Sequence, residues 1–423
     1  MSAAPAAAVA PIETNPENLW RLETPGDAGW ARTVRPGGDG RRKYFVVSCD
    51  SHLQAPASLF AQRLDAKFHH LLPRIEVRDG VRYQVHGETG AIDRLVESDL
   101  HGEDLVRSKS GAAFRGDSDS DYGDFTPIAQ RIADQARDGV DAELIFPNGP
   151  ALLIWASKNV AFVAAQCAVW NDWLMEQCRA DLARCNPAAA IPTLDVDAAV
   201  AEVERVAALG YRVVTFPTVP FWGVQDGSCP SYNHKDYDRL WAALQDHDLP
   251  IAFHCATGKD PRAVRGHGGA IINYVVHGCM PVVEPAVTLC ASGVIERFPK
   301  LRFGIVEGNA GWLPWMLDMM DEAYRKHHFW TRPKLRELPS TYFRSNGAAT
   351  ICEDRSALLL VEAYGLEDNL LWANDYPHHE GTWPHSAEAI ERQMGHLRED
   401  TRARILGLNA ARFFNFEVPE ALR

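Results

Sequence analysis

The sequence predicts an α/β protein: a (β/α)8 barrel of the TIM type, with a long insertion after its first strand and an irregular N-terminal arm. Two observations lead there. Short apolar runs alternate with amphipathic helical stretches, and the count of such units along the 423 residues approaches eight. That rhythm belongs to a parallel sheet with crossover helices. No Gly-rich phosphate turn follows the first run, so a closed barrel fits better than an open dinucleotide-binding sheet.

Each element is read in turn. Residues 1–40 are rich in Ala, Pro, Gly and charge, and are expected to form a loose arm ahead of a barrel spanning 41–423. The run 44–49 (YFVVSC) is β-branched and apolar, as a strand buried on both faces should be. Residues 60–126 break the rhythm with charged and Gly/Ser-rich stretches and form the expected insertion, on the face where barrel active sites sit. Strands are then expected at 144–147, 188–192, 212–216, 250–254, 301–306 and 370–373, with a weak seventh strand at 341–345. The intervening helices fall at 127–139, 157–184, 196–209, around 236–246, 283–297 and 354–364. Gly210 stands where a left-handed C-cap would end the third of them. A Gly- and His-rich loop, 255–282, follows the fifth strand.

Composition bounds the function. A hydrophobic fraction of 46 % and a charged fraction of 23 % are ordinary globular values. The formal net charge of −13 argues against a phosphate-backbone partner, so no nucleic-acid role is expected. Nine scattered cysteines without a CxxC pair suggest reduced thiols in a cytoplasmic protein. No signal peptide and no bilayer-spanning stretch are expected.

The polar residues at strand ends carry the chemistry. Asp50 and His52 close the first strand, and alternation turns both to one side with Ser51 facing away. His254 ends the fifth strand, Glu307 the sixth and Asp375 the eighth. In a closed barrel these ends meet at one mouth, where burying so many acidic and imidazole groups without a shared cation would be costly. Taken singly each has a plainer reading, a core histidine or a helix cap, but the set points to one divalent metal ion. Oxygen and nitrogen donors without thiolate suit Zn, Mn or Fe.

The motifs Asp50-Ser-His52, Phe253-His254, 298–314 (FPKLRFGIVEGNAGWLP) and 374–384 (NDYPHHEGTWP) together resemble the amidohydrolase superfamily, and within it the amidohydrolase 2 branch of metal-dependent hydrolases and decarboxylases. The resemblance spans roughly 44–415. It implies metal ligands at Asp50, His52, His254 and Asp375, with Asp375 also handling protons. The branch's sixth-strand histidine, often a general acid/base, matches Glu307, which is a departure. Asp50 in place of the first histidine of HxH moves toward the decarboxylase pattern, whereas Glu307 moves away from it.

Two reactions follow from this. In the first, a metal-activated water, with Asp375, Glu307 or His254 as catalytic groups, hydrolyses a C–N, C–O, C–S or C–C bond beside a carbonyl. In the alternative, an aromatic or unsaturated carboxylic acid loses CO₂ without oxidation. A catalytically inactive ligand-binding barrel is the third reading. Glu307 tilts the expectation to hydrolysis of a small aromatic or hydrophobic molecule. Arg262, Arg265, His277, His378 and Trp383 are candidates for binding it; Arg131, His267, His379, Trp222, Trp312 and Trp315 are weaker ones. Ala- and Leu-rich helices suggest a homodimer.

Overall fold

The computed structural model describes residues 44–85, 87–88, 92–94, 127–220, 231–258, 262, 264, 266–327, 329–378, 381–383 and 386–420. The expected arm at 1–40 and most of the insertion lie outside them.

Eight parallel strands form the central sheet: β1 (Val47–Leu53), β5 (Ala142–Pro147), β6 (Cys185–Ala190), β7 (Val213–Pro217), β8 (Ile251–His254), β9 (Phe303–Val306), β10 (Gly347–Ile351) and β11 (Leu370–Trp372). The first and last strands meet edge to edge. Ser51 and Tyr376 form a parallel bridge, the Asp375 amide donates to the Asp50 carbonyl at 3.1 Å, and the His52 amide donates to the Tyr376 carbonyl at 2.7 Å. These bonds close the barrel at its mouth. The described part of the insertion includes the short helical segments Leu59–Arg63 and Ala66–Leu71 and a small antiparallel sheet of β2 (Arg74–Arg78), β3 (Val81–Val85) and β4 (Ile92–Arg94).

The helical expectations are met with small shifts: Ile128–Arg137, Val160–Cys178, Val196–Leu209 and Asp238–Asp246 cover four of the stretches. Gly210 caps the third with φ +95°, a left-handed conformation that glycine adopts without steric cost. Two expectations need correction. Residues 341–345 lie in the helix Pro339–Asn346, and the seventh strand is the small-residue run Gly347–Ile351 that follows. Tyr342 and Phe343 of that helix pack in the outer apolar layer, and a Cβ on Gly347 would stand 2.8 Å from the Phe303 and Phe343 rings. One stretch, Asn273–Ala291, is a helix of 19 residues long and apolar enough, by length and composition alone, to cross a bilayer. Its second half packs Pro285, Ala286, Leu289 and Cys290 into the core, while Tyr274, Val275, Val276 and Met280 in its first half are exposed.

The barrel interior is one apolar cluster built from alternate strand residues: Phe45, Val47 and Cys49 on β1 and its approach, Leu144 and Phe146 on β5, and Val213, Ala252, Val306, Ala348 and Leu371 beyond. Phe413, Phe414 and Phe416 join this cluster from the C-terminal segment and seal the floor. Gly304 makes room for them, since a Cβ there would stand 2.5 Å from Phe414 Cζ. Other apolar faces, among them Val206, Trp241 and Leu289, bury against the helical layer outside.

Candidate metal centre

The register of β1 shifts against β5 between Ser48 and Ser51, so that three steps on β1 match two on β5. This bulge matters to the site. Strict alternation from Phe45, Val47 and Cys49 would aim Ser51 inward and turn Asp50 and His52 away. One extra residue reverses that. Ser51 then donates to the Leu144 carbonyl of the neighbouring strand at 2.9 Å, and Asp50 and His52 face the mouth.

Asp50, His52, His254 and Glu307 each place one donor atom within 4.8 Å of the others. His254 Nε2 is 3.3 Å from Asp50 Oδ1 and 3.2 Å from Glu307 Oε2. His52 Nε2 is 3.4 Å from Asp50 Oδ1, 3.7 Å from Glu307 Oε2 and 3.3 Å from Asp375 Oδ1. Asp375 thus joins through His52, and His378 Nδ1 sits 3.1 Å from the same Asp375 oxygen. The His378 ring stacks on His52 with centroids 4.0 Å apart.

Both inner imidazoles are oriented from behind. His52 Nδ1 lies 2.8 Å from the Pro147 carbonyl, and His254 Nδ1 lies 2.8 Å from the Cys255 carbonyl. A carbonyl only accepts, so each Nδ1 carries its proton and each ring turns its Nε2 toward the carboxylates, the nitrogen that would ligate a cation. Buried His52 Nε2 and Asp375 Oδ1 have no hydrogen-bond partner among the described residues. Lone pairs and carboxylate oxygens converging on one point, with two such atoms unsatisfied, are a donor set that fits one divalent cation.

The electrostatics agree. Burial pushes the Asp50 carboxyl up, but the facing His254 and His52 hold it well below the usual carboxylate range. Burial opposes protonation of His52, yet the facing carboxylates of Asp375, Asp50 and Glu307 raise it well above an ordinary imidazole. Burial, then the Asp375 charge, push the Glu307 carboxyl up. Three carboxylates around two imidazoles leave an excess of negative charge that a dication neutralises. Glu307 and Asp375 also have left-handed backbones, φ +58° and +52°. Such conformations cost on the order of 1–3 kcal/mol and cluster at functional sites.

The remaining candidates are more dispersed. His277 is half-buried and bonded to Asn273 Oδ1 at 3.1 Å, and Arg262 and His267 are exposed. Trp383 packs edge-on against Tyr376 and donates to the Asp134 carbonyl at 3.4 Å. Trp312 donates to the Gly308 and Asn309 carbonyls, while Trp315 is exposed. Arg265, His379 and Trp222 lie outside the described residues. Arg131, a candidate cation for anion binding, is instead completely buried beneath the mouth and paired with Glu143. Sequence reading missed its companions Asp134, Gln135, Asp138, Glu143 and Asn374. The spacing 131, 134, 135, 138 on one helix face was the available signal.

A closed barrel with a buried carboxylate–imidazole cluster at the strand ends defines a metal-dependent barrel enzyme. The amidohydrolase family model matches residues 30–416, and the chain belongs to that family, in its amidohydrolase 2 branch. The γ-resorcylate decarboxylase of Rhizobium sp. strain MTP-10005 is 26 % identical over 291 residues, which cover 66 % of this chain and 84 % of that protein. An amidohydrolase structure from Mycobacterium avium subsp. paratuberculosis K-10 matches with a TM-score of 0.70 at 20 % identity, covering 89 % of this chain and all of that one. A dihydroxybenzoic acid decarboxylase from Polaromonas sp. JS666, with bound manganese and the inhibitor 2-nitroresorcinol, matches with a TM-score of 0.59 at 19 % identity, covering 90 % and 99 %.

Proposed function

We propose that the protein is a metal-dependent, non-oxidative decarboxylase of a small aromatic carboxylic acid. The observation that carries this reading is the cluster of Asp50, His52, His254, Glu307 and Asp375, seated at the barrel mouth of a chain whose curated relatives are decarboxylases. The hydrolytic expectation gives way to its alternative on the strength of those relatives. Asp50, His52, His254 and Asp375 would hold the ion, and the relative with bound manganese makes Mn²⁺ the first choice. When bound, the cation supplies an electrophilic anchor for the carboxylate and neighbouring hydroxyl of the substrate.

The chain's own groups do the rest. Burial and Asp375 both disfavour charge on Glu307, which suits its carboxyl to carry the proton that the step needs. It delivers that proton to the ring carbon bearing the carboxyl. The bond from that carbon to the carboxyl then breaks, its electron pair is retained by the ring, and CO₂ leaves. His378, stacked on His52, would flank a ring bound at that cation. Hydrolysis stays as a second reading, favoured by the one observation that Glu307 stands where the branch carries a histidine.

The test is turnover of a panel of hydroxybenzoic acids, 2,6-dihydroxybenzoate included, by Mn²⁺-loaded protein in D₂O. Release of CO₂ with one deuterium on the product ring is expected. Uptake of ¹⁸O from labelled water into a product, without CO₂, would establish hydrolysis instead.

A further inference from the structure

The helix Ile128–Arg137 inverts the usual pattern, because the face it buries against the barrel is polar. Arg131, Asp134, Gln135 and the capping Asp138 fall at i, i+3, i+4 and i+7, on one stripe, and all four are buried. Every one of them reaches the seam where β1 meets the end of β11. Arg131 Nη1 donates to the His52 carbonyl at 2.5 Å, and Nη2 donates to the Tyr376 carbonyl at 3.4 Å. Its guanidinium also lies 4.8 Å over the Tyr376 ring. Asp134 accepts from the Tyr376 hydroxyl at 2.8 Å. Gln135 accepts from the Asn374 amide at 2.8 Å, and Asp138 accepts from the same amide at 3.2 Å. Glu143 on β5 completes the circuit, taking two bonds from Arg131, at 2.6 and 2.9 Å, and one from Gln135 at 2.6 Å.

The targets are telling. His52, Asn374 and Tyr376 are themselves a ligand candidate or the immediate neighbours of Asp375. Among the described residues, two backbone bonds cross the seam between them, and the Ser48 hydroxyl donates to Asn374 Oδ1 at 2.8 Å and accepts from the Asn374 backbone N–H at 3.0 Å. Ser48 holds the Asn374 side of the seam, but on the Tyr376 side one backbone bond spans it, so a contact from outside the sheet adds to what sets the spacing between Asp50–His52 and Asp375. Arg131 has the geometry to fix it, a planar fork that spans carbonyls on both sides of the seam while Glu143 neutralises its charge. We infer that Arg131, with the stripe around it, is a positioning residue that sets the metal-binding geometry across the barrel seam. This inference rests on the metal site proposed above, and it assigns Arg131 no contact with substrate.

The experiment is a Mn²⁺ titration of metal-free protein, followed by the electron paramagnetic resonance signal of free Mn²⁺, with thermal melting beside it. Three proteins are compared: wild type, Arg131→Lys, and the double variant Arg131→Met/Glu143→Met. Lysine preserves the charge facing Glu143 but cannot fork across the two carbonyls. The double variant removes both buried charges, so no unpaired ion remains to unfold the protein. Both variants are expected to melt close to wild type and to bind Mn²⁺ about 10- to 100-fold more weakly, as losses behind metal ligands commonly do. A variant that melts like wild type and binds Mn²⁺ equally tightly would overturn the inference and leave the stripe a purely structural clamp. Should both variants melt far below wild type, Gln135→Met, which cuts only the link from Asn374 to Glu143, is judged by the same two outcomes. Wild type that takes up no Mn²⁺ defeats the metal site itself, and that result is visible before any variant is made.

Discussion

His254 and Asp50 are both buried in the cluster, and their replacement separates binding from folding. His254→Ala and Asp50→Ala are expected to lose metal and activity together while retaining the fold, because the apolar barrel interior beneath them is untouched; plasma mass spectrometry and melting curves check both halves. Glu307→Gln is expected to keep metal and lose turnover, whereas loss of metal would make Glu307 a ligand. The electrostatics add a pH signature. His52 and His254 are raised above an ordinary imidazole by the carboxylates they face, so without metal they hold protons that a cation must displace. Adding Mn²⁺ to unbuffered metal-free protein should therefore release acid, and apparent affinity should fall as pH drops through the raised imidazole range. A pH-stat titration measures the first and dialysis at several pH values the second.

At the level of elements, the strands were legible where chemistry and period agreed. Apolar runs ending in Asp50, His254, Glu307 and Asp375 announced both the barrel and its mouth, since polar ends on buried strands have few other uses. The bulge in β1 was not legible. Nothing in VSCDSH shows that Cys49 and Asp50 share a face, because that depends on pairing with a strand about 90 residues away. The seventh strand was mistaken for similar reasons: Gly347–Ile351 has weak strand propensity, and Gly347 leaves room for the Phe303 and Phe343 rings, which only the assembled barrel reveals. Gly304 illustrates the same crowding. Gly304→Ala forces a methyl to within 2.5 Å of the Phe414 ring, and an overpacked core commonly costs about 1–3 kcal/mol. Urea unfolding should show a lower midpoint for Gly304→Ala at unchanged slope.

For the whole molecule, the metal and the fold are coupled through one cluster of charges. A bound ion at roughly 100 times its dissociation constant adds about 2.7 kcal/mol to stability. Metal-free protein should accordingly melt lower than loaded protein, with the difference growing as Mn²⁺ is raised; equal melting curves would mean that the cluster binds no ion in the folded state. The phenylalanine-sealed floor carries a separate consequence for traffic. With Phe413, Phe414 and Phe416 filling the far end and the strand interior packed between, the charged cluster is open only toward the mouth. On the decarboxylase reading proposed above, substrate and product would share that mouth, so occupancy by one would exclude the other. Steady-state kinetics should then show the product inhibiting competitively against the acid, and accumulated product, rather than loss of the ion, would bring a closed reaction to a halt.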